Sequence, residues 1–146
     1  MKPKALLTTI PSDAHNWNLI YIQLLMEENG AEVINLGACT AYEEIESACL
    51  QVLPDFIVVS TVNGHGFIEG RELIMRIREI PQMKNIPVYL GGKLSTDQAE
   101  SDKYALELEA AGYTRVYCEN KDEKAFVAEL RKFAGKGKES FKPGIL

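Results

Sequence analysis

Long apolar runs are missing from this 146-residue chain. None exceeds four residues, as at Leu19 to Ile22 and Phe56 to Val59, against the roughly 20 that a membrane-spanning helix needs. Met1-Lys2-Pro3-Lys4 leads into no signal-peptide apolar region, so the expectation is a soluble, cytoplasmic protein without membrane contact. Cysteine is scarce too. Cys39, Cys49 and Cys118 stand 10 and 69 positions apart, an odd number with no Cys-x-x-Cys pair, which argues against a disulfide framework and a thiolate zinc site. Each reads as core filling. Histidine occurs only at His15 and His65. Basic charge is in deficit, for a formal net charge of −5. Residues 131–146 hold five of the 16 Lys and Arg but one of the 21 acidic residues, so residues 1–130 carry 11 basic against 20 acidic side chains, a net −9. An acidic body of this kind argues against nucleic acid as a partner.

What is present is the length and composition of one globular domain with its own core. Five short aliphatic segments recur: Ala5 to Ile10, Glu32 to Leu36, Phe56 to Ser60, Val88 to Leu90 and Arg115 to Tyr117. Helical patterns fill each gap. Trp17, Ile20, Tyr21, Leu24 and Leu25 keep the 3,4 spacing of an amphipathic helix, with Gly30 at its left-handed end. Thr40-Ala41-Tyr42-Glu43 reads as a capping box opening a second helix, whose face is Ala41, Ile45, Ala48, Cys49 and Val52. Leu73, Ile74, Ile77 and Ile80 mark a third helix, ended by Pro81. Tyr104, Leu108 and Ala111 mark a fourth, and Asn120-Lys121-Asp122-Glu123 opens a fifth carrying Phe126, Leu130 and Phe133. Strict alternation with near-continuous apolar strands means a doubly wound α/β fold, a five-stranded parallel sheet of flavodoxin-like order 2-1-3-4-5. The domain is expected over residues 1–134, followed by a basic Gly/Lys-rich tail over 135–146 that reads as a solvated terminus.

In that topology ligands bind outside the carboxyl ends of the strands, near the first and third. The loop after the first strand, Pro11 to Asn18, holds Asp13 and His15. That spacing offers an imidazole that faces a metal through one nitrogen while a carboxylate holds the other. An equally physical reading is an Asp capping the next helix beside an exposed His. Ser60-Thr61-Val62-Asn63-Gly64-His65-Gly66 supplies small, flexible residues after the third strand, and Gly91-Gly92 removes two side chains after the fourth. Other tenants of the fold do not match. A phosphorylated receiver needs an Asp ending the third strand, where Ser60 stands. Flavodoxins place a flavin phosphate where Asp13 would repel it, and neither Gly-x-Gly-x-x-Gly after the first strand nor Gly-x-Ser-x-Gly occurs.

Asp13-Ala14-His15, Ser60-Thr61-Val62 and Gly91-Gly92, in this order and context, resemble the signature Asp-x-His-x-x-Gly, Ser-x-Leu, Gly-Gly of cobalamin-binding domains. Within them the chain is most similar to the small subunits of the glutamate mutase family. The resemblance implies adenosylcobalamin as cofactor, His15 as the cobalt ligand in place of the cofactor's own base, and Asp13 bonded to the far ring nitrogen. It implies that the displaced nucleotide tail enters a cleft past Ser60 and Val62 against Gly91 and Gly92. Ser12, Asn16, Thr61, Lys93 and Leu94 flank these positions as further contacts. The motif's closing Gly is Asn18 here, so a side chain stands where the family has none. Val62 in place of Leu removes about one methylene, worth ~0.8 kcal/mol.

The implied role is the cofactor-binding subunit of a carbon-skeleton mutase, an isomerase interconverting glutamate and threo-3-methylaspartate by a radical route, with the substrate held in the barrel of a separate large subunit. Two alternatives stand beside it. One is a corrinoid carrier for methyl transfer, although such carriers place a helical cap before the fold and the first strand here begins at about Ala5. The other is a regulatory module of the same fold with weakened cofactor affinity.

Overall fold

The computed structural model describes residues 2–62, 65–94, 97–118 and 122–141, without the side chains of Gln98 and of 134–141. Strands and helices alternate: β1 Lys4–Thr8, α1 Asn16–Glu28, β2 Glu32–Asn35, α2 Tyr42–Val52, β3 Phe56–Thr61, α3 Gly66–Glu79, a 3-10 turn Pro81–Met83, β4 Val88–Gly92, α4 Gln98–Ala111, β5 Arg115–Cys118 and α5 Glu123–Phe141. The strands pair in parallel in the order 2-1-3-4-5. The fold expected from the alternation is the one observed. Among the described residues, no helix is long and apolar enough to cross a membrane.

Strand side chains alternate between two buried layers. Leu6, Ile57, Val59, Leu90 and Val116 meet Ile45 and Cys49 of α2, Leu73, Ile74 and Ile77 of α3, and Leu108 of α4. Ala5, Leu7, Phe56, Val58, Tyr89 and Tyr117 meet Leu19 and Met26 of α1 and Phe126 and Leu130 of α5. With both faces covered, each strand reads as continuously apolar although its residues serve two cores. The second layer is aromatic: Phe133 stacks on Phe56 at 4.4 Å between ring centres, and Tyr89 meets Phe56 edge-on.

Three local expectations are corrected. The face of α1 read from Trp17, Ile20, Tyr21 and Leu24 points to solvent; Trp17 is 82% exposed, and Leu19 and Met26 are the buried residues. Leu19, Ile22 and Met26 satisfy the same helical spacing, so a helix apolar nearly all round has two candidate faces. Thr40 does not cap α2. Ala41 is its first flanking residue, and the Thr40 hydroxyl donates to the Gly37 carbonyl instead, while Glu43 and Glu44 place acidic charge in the first turn. Cys39 is exposed rather than core, whereas Cys49 is buried, and burial, helped by Glu46, pushes its thiol up to about 11. The left-handed Gly30 is as expected, at φ +98°, with Ala31 N–H reaching back to the Met26 carbonyl. Asn120 and Lys121 lie outside the described residues. The α5 backbone continues through Gly135 and Gly137 to Phe141.

The glycine pair ending β4 splits into two tasks. Gly92 has φ +128°, and a Cβ there would overlap the Thr61 carbonyl oxygen, which also accepts the Lys93 N–H at 3.0 Å. Gly91 is under no such constraint, since its Cβ would meet nothing closer than the Tyr117 carbonyl oxygen at 3.7 Å. Gly92→Ala is therefore expected to lose roughly 2–4 kcal/mol and Gly91→Ala under about 1 kcal/mol, read from urea unfolding midpoints at unchanged m.

Candidate functional site: a carboxylate–imidazole pair beside an open cavity

After β1 the chain turns at Ile10 to Asp13, where the Asp13 N–H donates to the Ile10 carbonyl, and the Asp13 side chain points inward at 1% exposure. Its Oδ1 accepts the His15 backbone N–H at 3.0 Å and His15 Nδ1 at 2.6 Å. Its Oδ2 accepts the Thr61 hydroxyl at 2.8 Å and the Val62 N–H at 2.9 Å. Burial, the largest single influence, pushes the carboxyl up. The bonds from Val62, His15 and Thr61 together outweigh it and hold Asp13 below its ordinary value.

An ionised carboxylate only accepts, so the proton between it and His15 belongs to Nδ1. Nε2 of the neutral ring then carries the free lone pair, on a side chain that is 59% exposed. The capping alternative for Asp13 is not what the structure adopts. His15 is the residue flanking α1, and no side chain caps that helix. Among the described residues no group of three or more His, Cys, Asp or Glu could hold a metal ion. A lone imidazole oriented by a buried carboxylate suits a metal whose other ligands come from a prosthetic group.

Beside this pair, on the α1/α5 face, a cavity of about 320 Å³ opens between the two helices and the carboxyl ends of β3, β4 and β5. Its floor follows from strand register. Ser60 pairs with Gly91 and Gly91 with Tyr117, so the missing Cβ of Gly91 leaves a gap between two side chains pointing the same way. Asn18, Tyr21, Ile22 and Leu25 of α1 form one wall, with Phe126 and Glu123 of α5 opposite. The Tyr117 hydroxyl is buried with no hydrogen-bond partner among the described residues.

The structure brings together Asp13, His15, Thr61 and Val62 by hydrogen bonds, and Ser60, Val62, Gly91 and Gly92 along the cavity. The Thr61 hydroxyl is committed to Asp13. Ser12, whose N–H donates to Glu69 Oε1, is exposed, as are Asn16 and Lys93, and none of the three lines the cavity. Leu94 turns away into the layer under α2, α3 and α4. His65 is exposed at the start of α3, and Asn63 and Gly64 lie outside the described residues. The cavity walls from α1 and α5 were not foreseen. Aligning the strand ends by period-two alternation, which puts Ser60, Gly91 and Tyr117 in one row, is the signal that finds its floor.

A doubly wound domain carrying an oriented imidazole and an adjoining cavity at its switch-point edge defines a cofactor-binding α/β domain. The chain belongs to the B12 binding domain family, whose model matches residues 3–125. It is similar to the glutamate mutase sigma subunit of Fusobacterium nucleatum, 27% identical over 116 residues that cover 80% of this chain and 85% of that one. It is similar also to the sigma subunit of Clostridium tetanomorphum, 24% identical over 134 residues covering 92% and 97%. Among solved structures, a cobalamin-binding protein from Desulfitobacterium hafniense superimposes with a TM-score of 0.70 at 18% identity, over 90% of this chain and 59% of that one.

Replacing Asp13 leaves four donors facing an amide that answers only part of them. Asp13→Asn is expected to cost about 1–3 kcal/mol. Because the folded carboxyl is held low, this contribution is present above the unfolded pKa and lost as pH falls through the folded one. The stability gap between wild type and Asp13→Asn, followed by urea unfolding, should be full at neutral pH and close on the acid side of the ordinary carboxylate range.

Proposed function

We propose that this chain is the cobalamin-holding subunit of an adenosylcobalamin-dependent carbon-skeleton mutase of the glutamate mutase type. The observation that carries the reading is the Asp13–His15 bond at 2.6 Å, made by a carboxylate that also accepts the N–H of Val62, a residue lining the cavity. His15 would hold cobalt from below, and Asp13 would keep the ring turned and its proton on Nδ1. Ser60, Val62, Gly91 and Gly92 would take the displaced nucleotide tail, with Ser12, Asn16, Thr61, Lys93 and Leu94 as surrounding or supporting positions. Two features fit a flat, rigid tail: the missing side chain at Gly91 and the buried Tyr117 hydroxyl, without a partner among the described residues. When bound, adenosylcobalamin supplies a carbon radical by homolysis of its cobalt–carbon bond.

The chain's own residues bind and orient. The cavity on the α1/α5 face is assigned to the cofactor in this reading, so the substrate would lie on a large partner subunit. In favour of a partner, relatives are named as sigma subunits, and Trp17, Ile20, Tyr21 and Leu24 line one exposed side of α1. We place the domain proper at residues 1–134, where Phe133 still packs against the aromatic layer, and the basic Gly/Lys-rich tail at 135–146.

Titration with cobalamin, followed by absorption, is expected to show the spectral change of base replacement by an imidazole, and His15→Ala is expected to abolish it. Identical spectra for both proteins would overturn the reading. Mixing the loaded chain with a glutamate mutase large subunit and measuring conversion of glutamate to 3-methylaspartate tests the mutase assignment against a methyl carrier, which would give none.

A further inference from the structure

We infer that Asn18 is a positioning residue that turns the Ser60 hydroxyl into a one-way hydrogen-bond donor facing the cavity, selecting for an acceptor atom on the tail of the bound cofactor. The inference rests on the cofactor reading above and concerns a residue at which this chain departs from the family signature.

Asn18 lies in the first turn of α1, three residues after His15, and its side-chain amide crosses to the end of β3. There Nδ2 donates to Ser60 Oγ at 2.6 Å. Both residues line the cavity, and Ser60 is 4% exposed. A serine hydroxyl has one proton and accepts through its lone pairs. With Asn18 donating, one lone pair is used and the proton is excluded from the Asn18 direction. The neighbour of Ser60 on β4 is Gly91, which offers no side chain to receive it. No other hydrogen bond of Ser60 Oγ is found among the described residues. The proton is therefore left for whatever fills the cavity, and an acceptor is the group it recognises: an unprotonated ring nitrogen, or an ether or phosphodiester oxygen. With glycine at position 18 the hydroxyl would be free to rotate, and the same bond to ligand would cost the freezing of that rotor. A donor fixed in advance is worth more to the ligand than one that must be ordered on binding.

The competing idea is that Asn18 obstructs the cavity mouth, and the two predict opposite signs. Wild type, Asn18→Ala, Ser60→Ala and the double variant are titrated with cobalamin and with cobinamide, which lacks the nucleotide tail. Alanine is the better helix former at position 18, so the variant is expected to fold, and thermal unfolding of the free protein verifies it. The expected result is cobalamin affinity weaker by about threefold to tenfold in Asn18→Ala, in line with one lost hydrogen bond. Cobinamide affinity should be unchanged, and Asn18→Ala should have no further effect once Ser60 is Ala. Equal or tighter cobalamin binding by Asn18→Ala overturns the inference. So does an equal loss for cobinamide, or a full loss that persists in the Ser60→Ala background. Failure of the wild type to bind either corrinoid overturns the cofactor reading and takes this inference with it, which distinguishes that failure from the others.

Discussion

A carboxylate at 1% exposure must have its charge answered by hydrogen bonds, and Asp13 has four donors to answer it. They come from both sides of the switch point: two from His15, at the head of α1, and two from Thr61 and Val62, at the end of β3. The Asp13 carbonyl also accepts the Cys39 N–H at 2.8 Å, from the loop after β2. One residue, by its carboxylate and its backbone carbonyl, thus ties three strand ends together. The direction of His15 is a by-product of that tie, because Nδ1 is one of the four donors. The imidazole is oriented by the requirements of the fold before any ligand arrives, which is the preorganisation a coordination site needs.

The cavity has a separate origin in the sheet's carboxyl edge. Parallel strands in register place Ser60, Gly91 and Tyr117 in one row, and removing the middle Cβ opens space that α1 and α5 do not fill. Gly92 serves the backbone instead, since only a glycine passes the Thr61 carbonyl at φ +128°. Thr61 therefore appears in both constructions: its hydroxyl holds Asp13 and its carbonyl receives Lys93 N–H. Imidazole and cavity are linked structurally through that residue.

The sheet order was legible because five apolar segments separated by helical patterns leave few right-handed, parallel solutions. Asp13, His15, Ser60 and the glycine pair were legible because loops at strand carboxyl ends are where this topology exposes its chemistry. What escaped was geometry that depends on choosing between equivalent options. Spacing alone did not separate a cap from a buried orienter for Asp13, because both put a carboxylate near a helix start; Thr61 and Val62, 48 and 49 positions away, decide it. Thr40 had the pattern of a cap, but the turn at Gly37 offered its hydroxyl a carbonyl closer at hand. For α1, spacing allowed two faces, and only the sheet's aromatic layer chose the one with Leu19 and Met26.

That choice leaves α1 with apolar side chains on its outer side as well. Trp17, Ile20, Tyr21 and Leu24 follow one another along the helix at 82, 41, 51 and 55% exposure, and His15 flanks the start of the same helix. Tyr21 also reaches across the cavity, its hydroxyl donating to Glu123 Oε1 at 2.7 Å. A surface that covers the stripe would therefore press on one cavity wall through Tyr21. Whatever covering that surface does to binding in the cavity, binding in the cavity does in equal measure to binding on that surface, because linkage is reciprocal. A helix whose inner face closes a core and whose outer face stays apolar thus joins the outer surface of the domain to the wall of its cavity.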